Sequence, residues 1–197
     1  MSIDSLAQLF VQRDVLCEHC RTNLVTRPRI FVFEDFLLYS LYPYEAGFQK
    51  LLIQYKDLYD EALYPVFLFP HLDRVKRLLK DRSVVCIPSH PSHVEMRGFN
   101  HVERMLHDLN ITPEPILSKI SERHQARTPA KFRKERLFEV QDKQLGDCIL
   151  IDDMCTTGES LRQAAELLKP HCEHLICFSV GYHPLLEHQV PSKSWRK

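Results

Sequence analysis

Three short apolar runs constrain the fold of this 197-residue chain more than any other feature. They lie at Ser83–Pro88, Cys148–Ile151 and Leu175–Val180, and each has the length of a buried strand. Apolar residues recur at helical spacing over residues 99–109 after the first run and over residues 161–168 after the second. Strand, helix and strand in this order favour a parallel sheet with right-handed crossovers. The sequence therefore predicts an α/β fold with a parallel sheet flanked by helices.

Two more helices are predicted upstream of these runs. Apolar residues at helical spacing from Phe48 to Tyr55 predict the first, and residues 72–80 predict the second. The polar stretch Ser89–Gly98, which follows a strand stopped by proline, is interpreted as a loop.

The first 44 residues have a different character from the rest. They combine a short Cys pair with an aromatic alternation at Ile30–Phe33 and Phe36–Tyr42, which predicts a small antiparallel hairpin. The chain divides accordingly into an N-terminal region over residues 1–44, a main domain over 45–190 and a polar tail over 191–197.

Charge, apolar run lengths and cysteine usage limit the cellular location of the protein and the classes of partner that it can attract. Lys plus Arg and Asp plus Glu both total 26, so net charge gives no general attraction to nucleic acid or to an acidic membrane. No apolar run approaches the roughly 18 residues that cross a bilayer, and the start lacks a signal-peptide pattern. The seven cysteines are odd in number and scattered, which is poor material for a disulfide framework. We expect a cytoplasmic protein without membrane insertion.

The second apolar run leads into the segment richest in chemistry. Asp152 and Asp153 follow the strand directly, where ligands gather at the carboxyl edge of a parallel sheet. Residues 156–160 then span the loop and the first helical turn, where backbone amides and hydroxyls attract a phosphate. Gly158 would let the backbone approach that phosphate closely. The two carboxylates suit the hydroxyls of a ribose, and a magnesium ion on the sugar side.

A purely structural interpretation competes with this one. Two aspartates can simply end a strand, and Thr157 can simply cap a helix. Each feature alone favours that interpretation, whereas their combination around Gly158, one of only five glycines, favours a ligand site.

The strand, the Asp pair and the Thr-Thr-Gly turn together resemble the signature with which phosphoribosyltransferases bind phosphoribosyl pyrophosphate. More narrowly, the chain is similar to the ComF family of competence proteins over residues 17–182. This similarity implies a type I phosphoribosyltransferase-like parallel sheet with a small N-terminal zinc-knuckle-like or hairpin region. The residues that carry it are Gln54–Lys56, Pro88 and Pro91, Arg97–Asn100, Gln125, Arg133–Leu137 and Ile149–Ser160.

The resemblance also implies roles for individual residues. Asp152 and Asp153 would hold the ribose and act as the catalytic pair, with magnesium accompanying phosphoribosyl pyrophosphate. Arg97 and Ser89, at the two ends of one loop, would face the pyrophosphate, for which a planar guanidinium is well suited. A surface loop in which Arg97 forms only an ion pair is the alternative. The other ligand-binding residues would be Cys155, Thr156, Thr157, Gly158, Glu159 and Ser160.

The function implied by the resemblance is DNA uptake during natural transformation, with proteins of the competence machinery as partners. Three hypotheses stay open. The chain would be a transferase acting on a base or similar acceptor, a non-catalytic nucleotide-sensing or partner-binding module of the uptake machinery, or a purine or pyrimidine salvage enzyme.

The segment Lys119–Arg136 carries seven basic residues against two acidic ones. A mobile flap that closes over pyrophosphate is the favoured interpretation, because closure keeps water away from the reacting centre. Single-stranded DNA is a second partner for such a strip, although Phe132 is its only aromatic residue. A solvated helix face is the third interpretation.

Cys17 and Cys20 have the spacing of one half of a zinc knuckle. A structural zinc site needs about four ligands, and no second Cys pair is present. His19 lies between the two cysteines, which is an awkward position for a further ligand. Both a bound zinc and a metal-free knuckle therefore stay open.

Overall fold

The structure is a computed structural model that describes residues 15–120 and 137–196. Two sheets are present in this part of the chain. Their strands are β1 (Arg29–Val32), β2 (Leu37–Pro43), β3 (Ser83–Cys86), β4 (Leu117–Lys119), β5 (Phe138–Val140), β6 (Cys148–Cys155), β7 (Leu175–Tyr182) and β8 (Ser192–Ser194).

The central sheet has six strands in the order β3, β6, β7, β2, β1, β8, and β4 pairs with β5 in a separate ribbon. The pairs among β3, β6, β7 and β2 are parallel, whereas β1 is antiparallel to both β2 and β8. The sheet is thus mixed but mostly parallel, and the predicted α/β class is confirmed. The antiparallel hairpin predicted near the N-terminus is also confirmed, as β1 and β2.

Eight α-helices lie within the described residues, and short 3₁₀ turns extend several of them. They are α1 (Glu18–Asn23), α2 (Ala46–Lys56), α3 (Tyr64–Leu68), α4 (Leu72–Leu79), α5 (Pro91–Arg97), α6 (His101–Met105), α7 (Glu159–Leu168) and α8 (Leu186–Gln189).

Helices pack on both faces of the central sheet. One face buries apolar residues of α2, α3, α4 and α6, and the other buries those of α7 and α8. Alternation along the strands supplies both cores, since Ile149 and Ile151 face the first and Cys148 and Leu150 face the second. In α2 the predicted apolar stripe from Phe48 to Tyr55 is buried as expected.

The hairpin is part of this core, because one register row crosses five strands. Val85, Leu150, Cys177, Leu38 and Phe31 are paired in sequence across β3, β6, β7, β2 and β1. All five side chains are fully buried, and each of the four other than Cys177 contributes about 1.5–3 kcal/mol of hydrophobic stabilisation. The N-terminal strands therefore complete the main sheet, while the boundaries drawn at residues 44 and 190 stay predictions.

Three local expectations differ from the structure. Residues 91–97 form helix α5 rather than a loop, because Pro91 suits a first helical turn and Gly98 ends it at a φ of +83°. The polar tail contains strand β8, whose Ser-Lys-Ser sequence is exposed and suits a sheet edge. The predicted strand Cys148–Ile151 continues to Cys155, with consequences for the site described below.

No helix in residues 15–120 or 137–196 is long and apolar enough to pass through a bilayer. All seven cysteines are free thiols.

Candidate functional site

The aspartate pair lies inside strand β6 and not beyond its end. The strand was expected to stop at Ile151, but its pairing with β7 continues, with Asp152 beside Ser179 and Cys155 beside Tyr182. Both carboxylates are consequently buried, with residue exposures of 9% for Asp152 and 4% for Asp153. An ionised carboxylate at such a depth needs a partner.

One carboxylate oxygen of Asp153 lies close to two side chains that carry a positive charge or can donate a hydrogen bond. The ammonium of Lys56, the last residue of α2, lies 2.7 Å from Oδ2, and Nε2 of His101 lies 3.4 Å from the same atom. Burial alone would raise the pKa of Asp153, but the His101 ring beside Oδ2 and the Lys56 charge hold that pKa below its ordinary value. Asp153 is therefore the ionised member of the pair.

Asp152 has the opposite environment. Its Oδ1 accepts a hydrogen bond from the backbone N–H of Asp153 at 2.8 Å. Burial, together with the neighbouring negative charge of Asp153, raises the pKa of Asp152 well above its ordinary value. The pKa values of the two carboxyl groups are thus shifted in opposite directions, because Lys56 contacts only Asp153.

His101 connects Asp153 to the loop that was expected to face pyrophosphate. Its Nδ1 lies 3.0 Å from Nη1 of Arg97 and 3.1 Å from Oγ of Ser89. A guanidinium can only donate, so Nδ1 accepts and the ring proton lies on Nε2, towards Asp153. Arg97 also donates from Nε to the carbonyl of Lys56 at 2.9 Å.

We call Lys56, Ser89, Arg97, His101 and Asp153 the strand-end cluster. They are the last residue of α2, a loop residue before α5, the last residue of α5, the first residue of α6 and a residue of β6, and the contacts above join all of them. The hydroxyl of Tyr55 fixes the backbone of His101 by a bond of 2.7 Å to its carbonyl. Lys56 and Asp153 therefore neutralise each other, while Arg97 donates to neutral acceptors.

The turn after β6 is built around Gly158. Gly158 has a φ of +83°, and a side-chain carbon built there would lie 2.9 Å from Cε1 of Phe33. Glycine is required for both reasons. Helix α7 begins at Glu159, and its first internal bond is donated by the Arg162 N–H to the Gly158 carbonyl. The amides of Ser160 and Leu161 precede that bond and have no acceptor within the helix.

Several other groups of the turn are buried or already make hydrogen bonds within the protein. The N–H of Glu159 donates to Oγ1 of Thr157 at 3.4 Å, as in a local capping turn. The carboxylate of Glu159 accepts hydrogen bonds from Gln163 and Arg162, which lower its pKa. Cys155 is buried, and this burial raises the pKa of its thiol to about 12. Thr156 and Thr157 are exposed.

A cavity of about 290 Å³ opens beside the cluster and the turn. Its volume is at the lower end of the range for small-ligand sites. It is lined by residues from both regions, among them Tyr44, Leu52, Lys56, Asp153, Met154 and Thr156.

The structure thus brings together several of the predicted site residues. Ser89 and Arg97 reach Asp153 through His101, and Thr156 shares a cavity with Asp153. Asp152, Cys155 and Gly158 instead lie in the interior of the sheet and its first turn.

Lys56 and His101 were not predicted as site residues. Lys56 is the last residue of α2 and follows the buried Tyr55. Because lysine usually faces solvent at such a position, the sequence did not indicate that its side chain turns inward. His101 comes four residues after Arg97, but Gly98 interrupts the helix between them, so their spacing carried no helical signal.

The basic segment Lys119–Arg136 lies almost wholly outside the described residues, which resume at Leu137. Its interpretation as a flap or as a contact for single-stranded DNA therefore stays a prediction.

The expected metals were compared with the side chains present. Cys17 and Cys20 are joined by no third ligand in the part of the chain that the structure describes, so they do not fit a complete tetrahedral zinc site. Lys56 holds the cation position on Asp153, so a magnesium ion on that carboxylate does not fit this arrangement either.

One group of three potential ligands does occur among the described residues. Asp147, Glu173 and His174 have ligand atoms within 4.8 Å of one another. They lie at the amino ends of β6 and β7, the opposite end of these strands from Asp153.

Comparison with known proteins adds no family. No protein-family model matches the chain. No curated protein matches it at the threshold of significance.

Proposed function

We propose that this chain is a ComF-like protein that binds phosphoribosyl pyrophosphate at the carboxyl end of β6. The observation that carries the proposal is the turn at Gly158, whose left-handed glycine packs on Phe33 between a buried Asp-Asp strand and helix α7. In this proposal the 5′-phosphate binds the exposed Thr156 and Thr157 and the first amides of α7. A type I phosphoribosyltransferase-like arrangement of the mostly parallel sheet is part of the same proposal.

In this proposal, ligand binding changes the anion with which Lys56 pairs. Lys56 and His101 both lie against Oδ2 of Asp153, so a ribose hydroxyl that donates to this oxygen displaces the Lys56 ion pair. We therefore assign Lys56 an exchange between two anions, Asp153 in the free protein and the pyrophosphate in the complex. The Lys56 side chain is 35% exposed and lines the cavity, so it reaches both sides of such an exchange. Magnesium would enter on the pyrophosphate oxygens of the ligand.

The biological role that accompanies this proposal is DNA uptake in natural transformation, with competence proteins as partners. A salvage enzyme and a non-catalytic nucleotide-sensing module share the ligand and differ in turnover. Pyrophosphate release with one free purine or pyrimidine would favour salvage. Tight binding without turnover across a panel of bases would favour the sensing module.

The first experiment is a calorimetric titration of phosphoribosyl pyrophosphate, ribose 5-phosphate and nucleoside monophosphates, each with and without magnesium. We expect phosphoribosyl pyrophosphate to bind most tightly, because only this ligand offers both the 5′-phosphate and the anion that takes Lys56. Thr157→Val should weaken it by about 1.5–3 kcal/mol, since one hydrogen bond to a charged group is lost. Equal affinity for all three ligands, or none for any of them, would contradict the proposal.

A further inference from the structure

A second cavity of about 790 Å³ lies beside helix α4 and shares no lining residue with the cavity at Asp153. Its wall combines apolar side chains with polar and charged ones, and two arginines of α4 line it. We call it the arginine groove. The residues that matter here are Thr26, Phe69, Pro70, Leu72, Arg74 and Arg77.

The two guanidinium groups of the arginine groove have no hydrogen-bond or ion-pair partner among the described residues. Arg74 and Arg77 form no ion pair there, although Asp73 lies in the same lining. The Nε of Arg74 is buried and makes no hydrogen bond. Burial and then the Arg77 charge lower the pKa of Arg74, as expected where like charges meet without a carboxylate between them.

Arg74 is also held in place by the C-terminal tryptophan. Its guanidinium carbon lies 5.2 Å from the centre of the Trp195 ring. Trp195 in turn packs edge-on against Tyr39 and Phe178, with ring centres 5.1 Å and 6.3 Å away. The arginine is therefore oriented by packing, while its donors keep their hydrogen-bonding capacity.

We propose that the arginine groove binds a small organic phosphate monoester. Guanidinium forks match the oxygens of a phosphate, and neither Arg74 nor Arg77 has a carboxylate partner among the described residues that would compete with such a ligand. The apolar wall at Phe69 and Leu72 receives the organic part, in a volume usual for small-molecule sites. This site is independent of the phosphoribosyl proposal, because the two cavities have no residue in common.

The chain contains a single tryptophan, which makes the site directly observable. The experiment titrates phenyl phosphate, inorganic phosphate and phenol while Trp195 emission is recorded. We expect a saturable change with phenyl phosphate, a weaker response to inorganic phosphate and none to phenol. Arg74→Gln and Arg77→Gln should each weaken phenyl phosphate binding by about tenfold or more, because each removes a charged hydrogen bond.

Lys76→Gln is the matched control, because it removes the same charge from an exposed position of α4 outside the groove. Its affinity should equal that of the unchanged protein. The proposal is overturned if no saturable change occurs at millimolar phenyl phosphate, if inorganic phosphate binds as tightly, or if all three variants behave alike. Arg77 is exposed, so Arg77→Gln keeps the test valid even if Arg74→Gln fails to fold. Thr157→Val should leave this Trp195 response unchanged.

Discussion

The strand-end cluster and the arginine groove both concentrate positive side chains, but they use them differently. In the cluster, Lys56 and Arg97 already contact Asp153, His101 and a backbone carbonyl. In the groove, Arg74 and Arg77 contact no carboxylate among the described residues. Partnered cations stabilise the fold and can bind a ligand only by exchange, whereas unpartnered ones add little stability and are ready to bind.

Asp153→Asn tests the stabilising role of the partnered cations and has the largest expected effect. The change removes the ionised carboxylate that pairs with Lys56 inside the sheet, so we expect the free energy of unfolding to fall by about 3–5 kcal/mol. Urea denaturation at neutral pH measures it. Asp152→Asn is the matched control, one residue away and equally buried, and should cost far less because Asp152 favours the neutral form. Equal losses for both variants would contradict the assigned charges.

The same two residues predict opposite responses to pH. The pKa of Asp153 is lowered by folding, so its contribution to stability is present above the ordinary carboxyl pKa of about 3.9 and is lost as pH falls through the folded value. The pKa of Asp152 is raised, so its contribution is present below that ordinary value and is lost as pH rises through the folded one. As pH rises, the free energy of unfolding of Asp153→Asn should therefore fall relative to that of the unchanged protein, whereas that of Asp152→Asn should rise relative to it.

A comparison of two glycines isolates the packing of the turn. Gly158 and Gly98 both have a φ of +83°, but only Gly158 has a ring against its missing side chain. Gly98→Ala should cost about 1–2 kcal/mol for the left-handed conformation alone. Gly158→Ala should cost about 1–3 kcal/mol more, because the added carbon meets Phe33. A double variant with Phe33→Leu should recover part of that difference, and identical losses for the two glycines would argue against the close contact.

Ligand binding tests the exchange at Lys56. Lys56→Met should weaken phosphoribosyl pyrophosphate binding about tenfold and leave ribose 5-phosphate binding unchanged or stronger, since only the former supplies the second anion. Lys50→Met is the control, because Lys50 is an exposed lysine of the same helix that lies outside the cavity. Calorimetry distinguishes the cases. Equal weakening of both ligands would mean that Lys56 acts only on the 5′-phosphate or on the fold.

The smallest expected effect belongs to the arginine groove. Arg77→Gln should change the free energy of unfolding by about 0.5 kcal/mol or less, because Arg77 is exposed and makes no ion pair there. Denaturation with and without added salt measures this, and any small gain should shrink as salt screens the repulsion from Arg74. A loss comparable to that of Asp153→Asn would show that Arg77 has a structural partner.

Much of the architecture could be predicted because apolar residues recur in the sequence at the period of a strand or of a helix. The buried rows through Leu150 and the stripe on α2 follow directly from apolar spacing. Segment ends were harder, since β6 continues through two aspartates that a strand rarely buries. Its length depends on Lys56 and His101, which come from 97 and 52 residues upstream of Asp153. Tertiary partners of that kind leave no local pattern in the sequence.

The position of β2 between β7 and β1 has a consequence for how the protein is made. β2 ends at Pro43, whereas its parallel neighbour β7 begins only at Leu175. During synthesis the edge of β2 that pairs with β7 therefore stays unpaired until the whole intervening segment and β7 have emerged. Such distant pairing slows folding and exposes the nascent chain to aggregation, so its yield should depend strongly on growth temperature and on chaperones.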